Sequence, residues 1–251
     1  MTYSNGRIIN DADAHTMETQ DWLAPYLEGE LKEKYSGVYS KREGGERIVE
    51  MIDKAMERRT DPEARKAAAE NPIGGAKGWL GYGGFDKEER IEALDFLGFQ
   101  SQLVFPTFGL AAIQKAENED QRYAASRALN QAQIDFCNAD ERMIAVAYCP
   151  LDNPDRALEE AKFAVSKGAG AVMFSAAPGG DRSPGHLLYD PFWQFLQDIR
   201  IPSCCISARV RRASRKASRT MVASVLRISM AAARTFVSRT SCACGSRRRN
   251  S

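Results

Sequence analysis

Asp13 and His15 stand two residues apart in "INDADAHTME", Ile9 to Glu18, just after the short run Arg7-Ile8-Ile9. If that run opens a strand, residues two apart project to the same face. A carboxylate and an imidazole would then lie side by side at the strand's end. Oxygen and nitrogen donors so placed suit a divalent metal such as Zn or Mn. Glu18 is a weaker candidate, a neighbour of the same site. A catalytic metal needs about three protein ligands and an open position, so other segments must supply more. The only other histidine, His186, lies in the loop "GGDRSPGHLLYDP", where it is a candidate substrate contact. A solvated loop histidine is the plainer alternative.

The elements that must position these groups alternate between helix and strand signals. Arg7–Asp13 reads as the opening strand. Asp86-Lys-Glu-Glu89 is a capping-box pattern for a helix with Ile91, Leu94 and Leu97 on one face, stopped by Gly98. "QLVFPT" reads as a buried parallel strand. Glu117 to Asn138 repeats Ala125, Leu129, Ala132 and Phe136 at helical spacing, and "MIAVAYCP" is the next buried strand. Asn153-Pro154 opens a helix with Ala157, Leu158, Ala161 and Val165 as its packed stripe. "GAGAVMF" is a further strand, and Asp190-Pro191 caps a helix carrying Phe192, Phe195, Leu196 and Ile199. Together these make four β-α units and the start of a fifth strand at Ile201-Pro202.

Such alternation predicts an α/β fold with a parallel sheet, either a (β/α)8 TIM-type barrel or an open doubly wound sheet. A dinucleotide-binding sheet should carry G-x-G-x-x-G after its first strand. Asp13-Ala-His15 occupies that place, so the barrel is expected. Residues 21–85 form a long excursion between the first strand and its helix, helical at "GERIVEMIDKAMERR" and glycine-rich at "GGAKGWLGYGG". In a barrel, loops on that side stand over the active-site mouth, so a lid and a packed surface insertion are both open readings. Trp79, Phe85, Phe105 and Phe108 are candidates for an aromatic pocket lining or for plain core.

Composition bounds the rest. No apolar run approaches the roughly 18 residues of a membrane span, and the N-terminus has no apolar signal core. A cytoplasmic protein without a membrane partner is the expectation. The net charge of +2 hides an asymmetry: 12 of 35 basic residues lie in Ser203–Ser251, which holds none of the 33 acidic residues. Residues 1–202 thus carry 23 basic and 33 acidic residues, a net −10. Cys137 and Cys149 read as buried thiols of a reducing compartment. Cys242-x-Cys244 has the wrong spacing for a structural zinc pair, and no His follows Cys205.

The ordered set "DADAHTME", "RIEALDFLGFQSQLVFPT", "ALNQAQIDFCNADERMIAVAYCPLDNPDRALEEAKFAVSKGAGAVMF" and "LYDPFWQFLQDIRIP" resembles the amidohydrolase-related metal-dependent barrel enzymes. The branch it resembles is the one that includes aminocarboxymuconate semialdehyde decarboxylase and related aromatic-acid decarboxylases. The resemblance covers about residues 5–202. It implies that Asp13 and His15 are the paired metal ligands of strand one, Asp13 standing where many members have a His. It also implies further ligands: a His ending strand five, a His at strand six and an Asp ending strand eight. The substrate class implied is a small aromatic or unsaturated carboxylic acid, decarboxylated or hydrolysed. The later ligands have no counterpart here, since the last acidic residue is Asp198.

Where strand five should carry its His, the chain reads "SCCISAR". Written with one permitted codon choice, TCG TGC TGC ATA TCG GCG CGG, and read one register over, that stretch becomes Val-Val-Leu-His-Ile-Gly-Ala. Composition agrees with out-of-frame, GC-rich coding: the final 49 residues hold 11 Arg, 10 Ser, 8 Ala and 4 Cys. Residues 1–202 are therefore expected to be the first half of a barrel, and residues 203–251 a frameshifted, disordered Arg/Ser-rich tail. On this reading the catalytic acid lies in the missing half and metal is held weakly. The alternative is a non-catalytic, basic-tailed binding protein or decayed fragment; the tail's Cys, Val and Met content argues against a nucleic-acid arm. Four strands leave unpaired sheet edges, which favour association into a homo-oligomer.

Overall fold

The computed structural model describes residues 2–41, 43–72, 75–113, 116–176 and 182–206. Residues 207–251 lie outside these, and with them most of the tail expected to be frameshifted and disordered, and Cys242 and Cys244. The chain divides into two compact units, Met1–Ala145 and Val146–Ser251.

The first unit opens on strand β1, Asn10–His15, followed by helices α1 (Gly29–Tyr35), α2 (Glu46–Met56), α3 (Pro62–Ala69) and α4 (Lys87–Leu97). Strand β2 (Ser101–Phe105), helices α5 (Gly109–Ile113) and α6 (Glu119–Cys137) and the first half of β3 (Met143–Tyr148) complete it. β1 pairs in parallel with β2, and β2 with β3 through Gln102–Val104. In the second unit the rest of β3 is followed by α7 (Pro154–Lys167), β4 (Ala171–Ser175), α8 (Asp190–Asp198) and β5 (Ser203–Ile206). β3 pairs in parallel with β4, and β4 with β5. Strand order follows chain order, β1-β2-β3-β4-β5. Five parallel strands in sequence with helical crossovers are the α/β arrangement of the first part of a TIM-type barrel.

Most elements arise where their sequence signals put them. All five residues of β2 are buried, as an apolar run flanked on both sides requires. Ala125, Leu129, Ala132 and Phe136 are buried along α6. Asn153 accepts from the N–H groups of Asp155 and Arg156 at the start of α7, with Pro154 behind it. Gly98 ends α4 at φ 71°, and a Cβ there would come 2.5 Å from Ser4 Oγ, so both conformation and space demand glycine.

Two boundaries differ. The first strand runs over Asn10–His15 rather than Arg7–Asp13, because Asn5 and Gly6 form a left-handed turn that leaves Ile8 exposed and unpaired. Pairing begins where Gln100 N–H donates to Ile9 O. Asp190 is the first residue of α8 and not its cap; a 3-10 turn over Leu187–Tyr189 leads directly into the helix, and Tyr189 Oη donates to Leu151 O. Ser203–Ile206, the first four residues of the expected tail, form β5, since pairing with β4 needs only main-chain groups.

Residues 21–85 build a small cluster of their own: Tyr39, Ile52, Ala55, Trp79 and Phe85, with Met17 and Phe108 packed against it. The Trp79 and Phe108 rings stack at 4.7 Å, and Tyr39 meets Trp79 edge-on at 5.4 Å. Phe105 is buried as well. These aromatic residues therefore serve packing where Met17 and Phe108 follow β1 and β2. Ion pairs tie the excursion to α4: Arg58 is bidentate to Glu89 at 2.8 and 2.9 Å, and Arg59 donates to Asp86 at 2.6 Å.

Asp86 caps α4 through Glu89 N–H. Burial pushes its carboxyl up, but the Glu89 N–H and the Arg59 guanidinium outweigh that and hold it below its ordinary value of 3.8. A depressed folded value means stability that is present above the unfolded value and lost as pH falls through the folded one. Asp86→Ala is expected to lose about 1 kcal/mol at neutral pH, with the gap to the parent narrowing below pH 3.8. Urea denaturation of both proteins across that range checks it.

Candidate metal-binding site

β1 owes its place to its neighbour, not to its own composition. "NDADAH" is polar, yet it pairs with the buried β2 from Asn10↔Ser101 to His15↔Phe105, with an irregularity between Asp11 and Ala14. Asp11 holds that irregularity: its Oδ1 accepts from Asp13 N–H at 2.9 Å and its Oδ2 from Gln102 Nε2 at 3.2 Å. At the end of the strand Arg90 fixes the main chain, donating to His15 O at 2.7 Å and to Gly83 O at 2.6 Å.

Asp13 and His15 are brought together as expected. Asp13 Oδ1 lies 3.3 Å from His15 Nε2, with the carboxylate 87% and the imidazole 41% exposed. The other ring nitrogen, Nδ1, is 3.0 Å from Thr107 Oγ1, and the ring lies 5.8 Å from that of Phe105. Metal ligands of these types sit about 2.0–2.2 Å from a zinc ion. Donors 3.3 Å apart can therefore share one cation, and the pair fits as two of its ligands. Among the described residues no group of three or more His, Cys, Asp or Glu is placed to hold a metal ion.

Glu18 is placed differently. It is 2% exposed, and its oxygens accept from Thr107 N–H at 2.7 Å and Phe108 N–H at 2.8 Å. Burial pushes its carboxyl above the usual range, opposed by main-chain N–H groups that favour the charged form. Its role here is to hold the loop after β2. His186 belongs to the second unit, where its Nδ1 accepts from Leu188 N–H at 3.3 Å and caps a 3-10 turn. Cys137 and Cys149 are buried and free, and burial pushes the Cys137 thiol up to about 12. A cavity of about 320 Å3 in the first unit is lined by Trp22, Tyr26, Phe85, Lys87 and Asp135 among others, and not by Asp13 or His15.

Three residues that hold the site went unnoticed in the sequence: Asp11, Arg90 and Thr107. Thr107 had a signal, since it directly follows the proline that ends "QLVFP" and so must stand at the mouth end of β2. Arg90 and Asp11 had none, because a charged residue in a helix or a polar strand reads as solvated.

The sequence family described as Amidohydrolase matches residues 11–204, a span holding Asp13, His15, three of the five strands complete and parts of the other two. The chain belongs to the amidohydrolase family. Among solved structures it is similar to an amidohydrolase from Mycobacterium avium subsp. paratuberculosis K-10, at 27% identity and a TM-score of 0.43. That match covers 49% of this chain and 34% of the other, so it spans about a third of that protein's length. No curated protein matches the chain. No helix among the described residues is long and apolar enough to cross a membrane.

Proposed function

We propose that the chain carries the first half of a metal-dependent decarboxylase or hydrolase for a small aromatic or unsaturated carboxylic acid, of the aminocarboxymuconate semialdehyde decarboxylase type. The observation that carries this reading is the Asp13–His15 pair, 3.3 Å apart and exposed at the end of β1, in a chain of the amidohydrolase family. Asp13 Oδ1 and His15 Nε2 would hold Zn or Mn. Bound there, the ion supplies Lewis acidity and a template for the substrate's carboxylate. The chain's own residues orient the pair: Arg90 grips the His15 carbonyl, Asp11 the Asp13 N–H, and Thr107 the imidazole. The 21–85 excursion, packed against Met17 and Phe108, shields the residues that follow β1 and β2 from water. Decarboxylation is preferred to hydrolysis on the resemblance of the segments around β1 to α8.

The same reading holds that the coding frame shifts near codon 202, so that the strand-five His and the later ligands are lost. Sequencing the coding DNA across codons 195–215 tests this directly. The frame-restored protein should retain stoichiometric divalent metal through dialysis and turn over substrate, and His15→Ala should remove both. The 251-residue form should retain little metal. Stoichiometric metal in the 251-residue form that His15→Ala does not displace would overturn the site; an unshifted DNA sequence would overturn the frame reading alone.

A further inference from the structure

We propose that Glu18 and Thr107 form a positioning relay that fixes His15 as its Nδ1–H tautomer and turns the lone pair of Nε2 toward Asp13. The proposal rests on reading His15 as a metal ligand, and it assigns to Glu18 a task other than ligation.

The argument begins with the single proton of a hydroxyl. Thr107 Oγ1 lies 2.7 Å from Thr16 O and 3.0 Å from His15 Nδ1. A carbonyl oxygen can only accept, whereas Nδ1 can also donate, and the carbonyl is the nearer of the two, so the hydroxyl proton goes to Thr16 O. What Thr107 offers His15 is a lone pair, and Nδ1 must bring the proton. A neutral imidazole has one N–H, so Nε2 is left as an acceptor. It faces Asp13 Oδ1 at 3.3 Å, also an acceptor. Two lone pairs aimed at one another across that gap are unfavourable until a cation sits between them.

Asp13 pulls the other way, because a carboxylate alone would draw the ring proton to Nε2. Two observations decide against it. The Asp13 side chain is 87% exposed, so water screens its pull. Thr107, by contrast, is fixed at three points: its hydroxyl by Thr16 O, its N–H by Glu18 Oε1, and the next N–H, of Phe108, by Glu18 Oε2. Glu18 is itself fixed, since its carbonyl accepts from Tyr39 Oη and Trp79 Nε1, each at 3.0 Å. The following residue, Gly109, leaves no slack. A Cβ there would meet Leu129 Cδ1 at 2.6 Å and Glu18 Oε1 at 3.2 Å. The carboxylate thus spends both oxygens on the loop, and the loop sets the imidazole. Hydrogen bonding at the non-ligating ring nitrogen is the general means of setting which nitrogen binds metal.

The test uses the 251-residue chain labelled with 15N-histidine. Only two histidines are present, so long-range 15N–1H spectra hold two imidazoles, and His186→Ala identifies the His15 set. With the ring neutral, His15 should show Nδ1 protonated and Nε2 unprotonated. Thr107→Val should release it to the mixed tautomers of a free imidazole, while Thr107→Ser should restore the parent spectrum. Glu18→Gln should move the spectrum the same way as Thr107→Val, because an amide NH2 opposes one of the two N–H groups it faces. Should Glu18→Gln fail to fold, the Thr107 pair decides alone. Zn titrated into the same samples should bind about 10–100-fold more weakly to Thr107→Val. An Nε2–H tautomer in the parent, or an unchanged spectrum in Thr107→Val, overturns the relay. Zn that leaves the parent's His15 signals unmoved, with the tautomer as stated, overturns the metal reading and leaves the relay standing.

Discussion

Arg58→Ala is expected to destabilise the first unit by about 3–5 kcal/mol, the cost of breaking a buried ion pair by removing one partner. The Arg58 and Glu89 side chains are 8% and 3% exposed, so the alanine leaves a carboxylate with little water to turn to. Arg58 also donates to Leu80 O and Gly81 O, and those carbonyls lose their donor too. Glu89 keeps Gly83 N–H, which is too little to balance a charge. Removing both charges with Arg58→Met and Glu89→Met together should recover most of the loss, because the charged pair's desolvation disappears with it. Urea denaturation followed by tryptophan fluorescence separates the cases. A single variant as stable as the parent would show that the pair is solvated in solution.

Arg90→Ala should cost about 3 kcal/mol, on the principle that each buried polar group left unsatisfied costs about 1–3 kcal/mol. Here the groups are carbonyls, His15 O and Gly83 O, with Gln102 Oε1 a third acceptor at 3.3 Å. No carboxylate is left stranded, which is why the expected loss falls below that of Arg58→Ala. The geometry of a fork matters as well as its charge, so Arg90→Lys should rescue little. Because Arg90 holds the end of β1, the Zn-induced change at His15 should weaken together with stability. A variant that loses stability with His15 binding Zn as before would separate the strand's anchor from the site.

Much of the scaffold was legible because single residues carry their own local reason. Gly98 announces a left-handed stop, Asn153-Pro154 a helix start, and the apolar run of β2 a buried strand. The capping box at Asp86 was legible only in half. Asp86 does cap α4, but Glu89 turns away to Arg58, 31 positions distant, and no local pattern encodes a partner that far off. The same holds at the site. Asp13 and His15 were legible because a two-residue spacing on a strand is itself a geometry. Their supports were not, since Thr107 and Arg90 reach His15 across 92 and 75 positions, and Glu18, visible in the sequence as a neighbour of the site, acts through Thr107, 89 positions away, by turns that only the folded chain defines. The shift of β1 toward its C-terminal end has a related cause: a polar edge strand takes its register from the partner's backbone and leaves no apolar signature of its own.

β5 shows what a parallel ladder does not read. Ser203-Cys-Cys-Ile206 pairs residue by residue with Val172–Ser175, although the segment reads one register over as a quite different strand. Main-chain groups are the same in every frame. On the proposed reading that the coding frame shifts near codon 202, the change would be quiet at first. It would spare the outline of the sheet and erase the message written on it, so an assay of secondary structure would pass the strand while an assay of ligand donors would not.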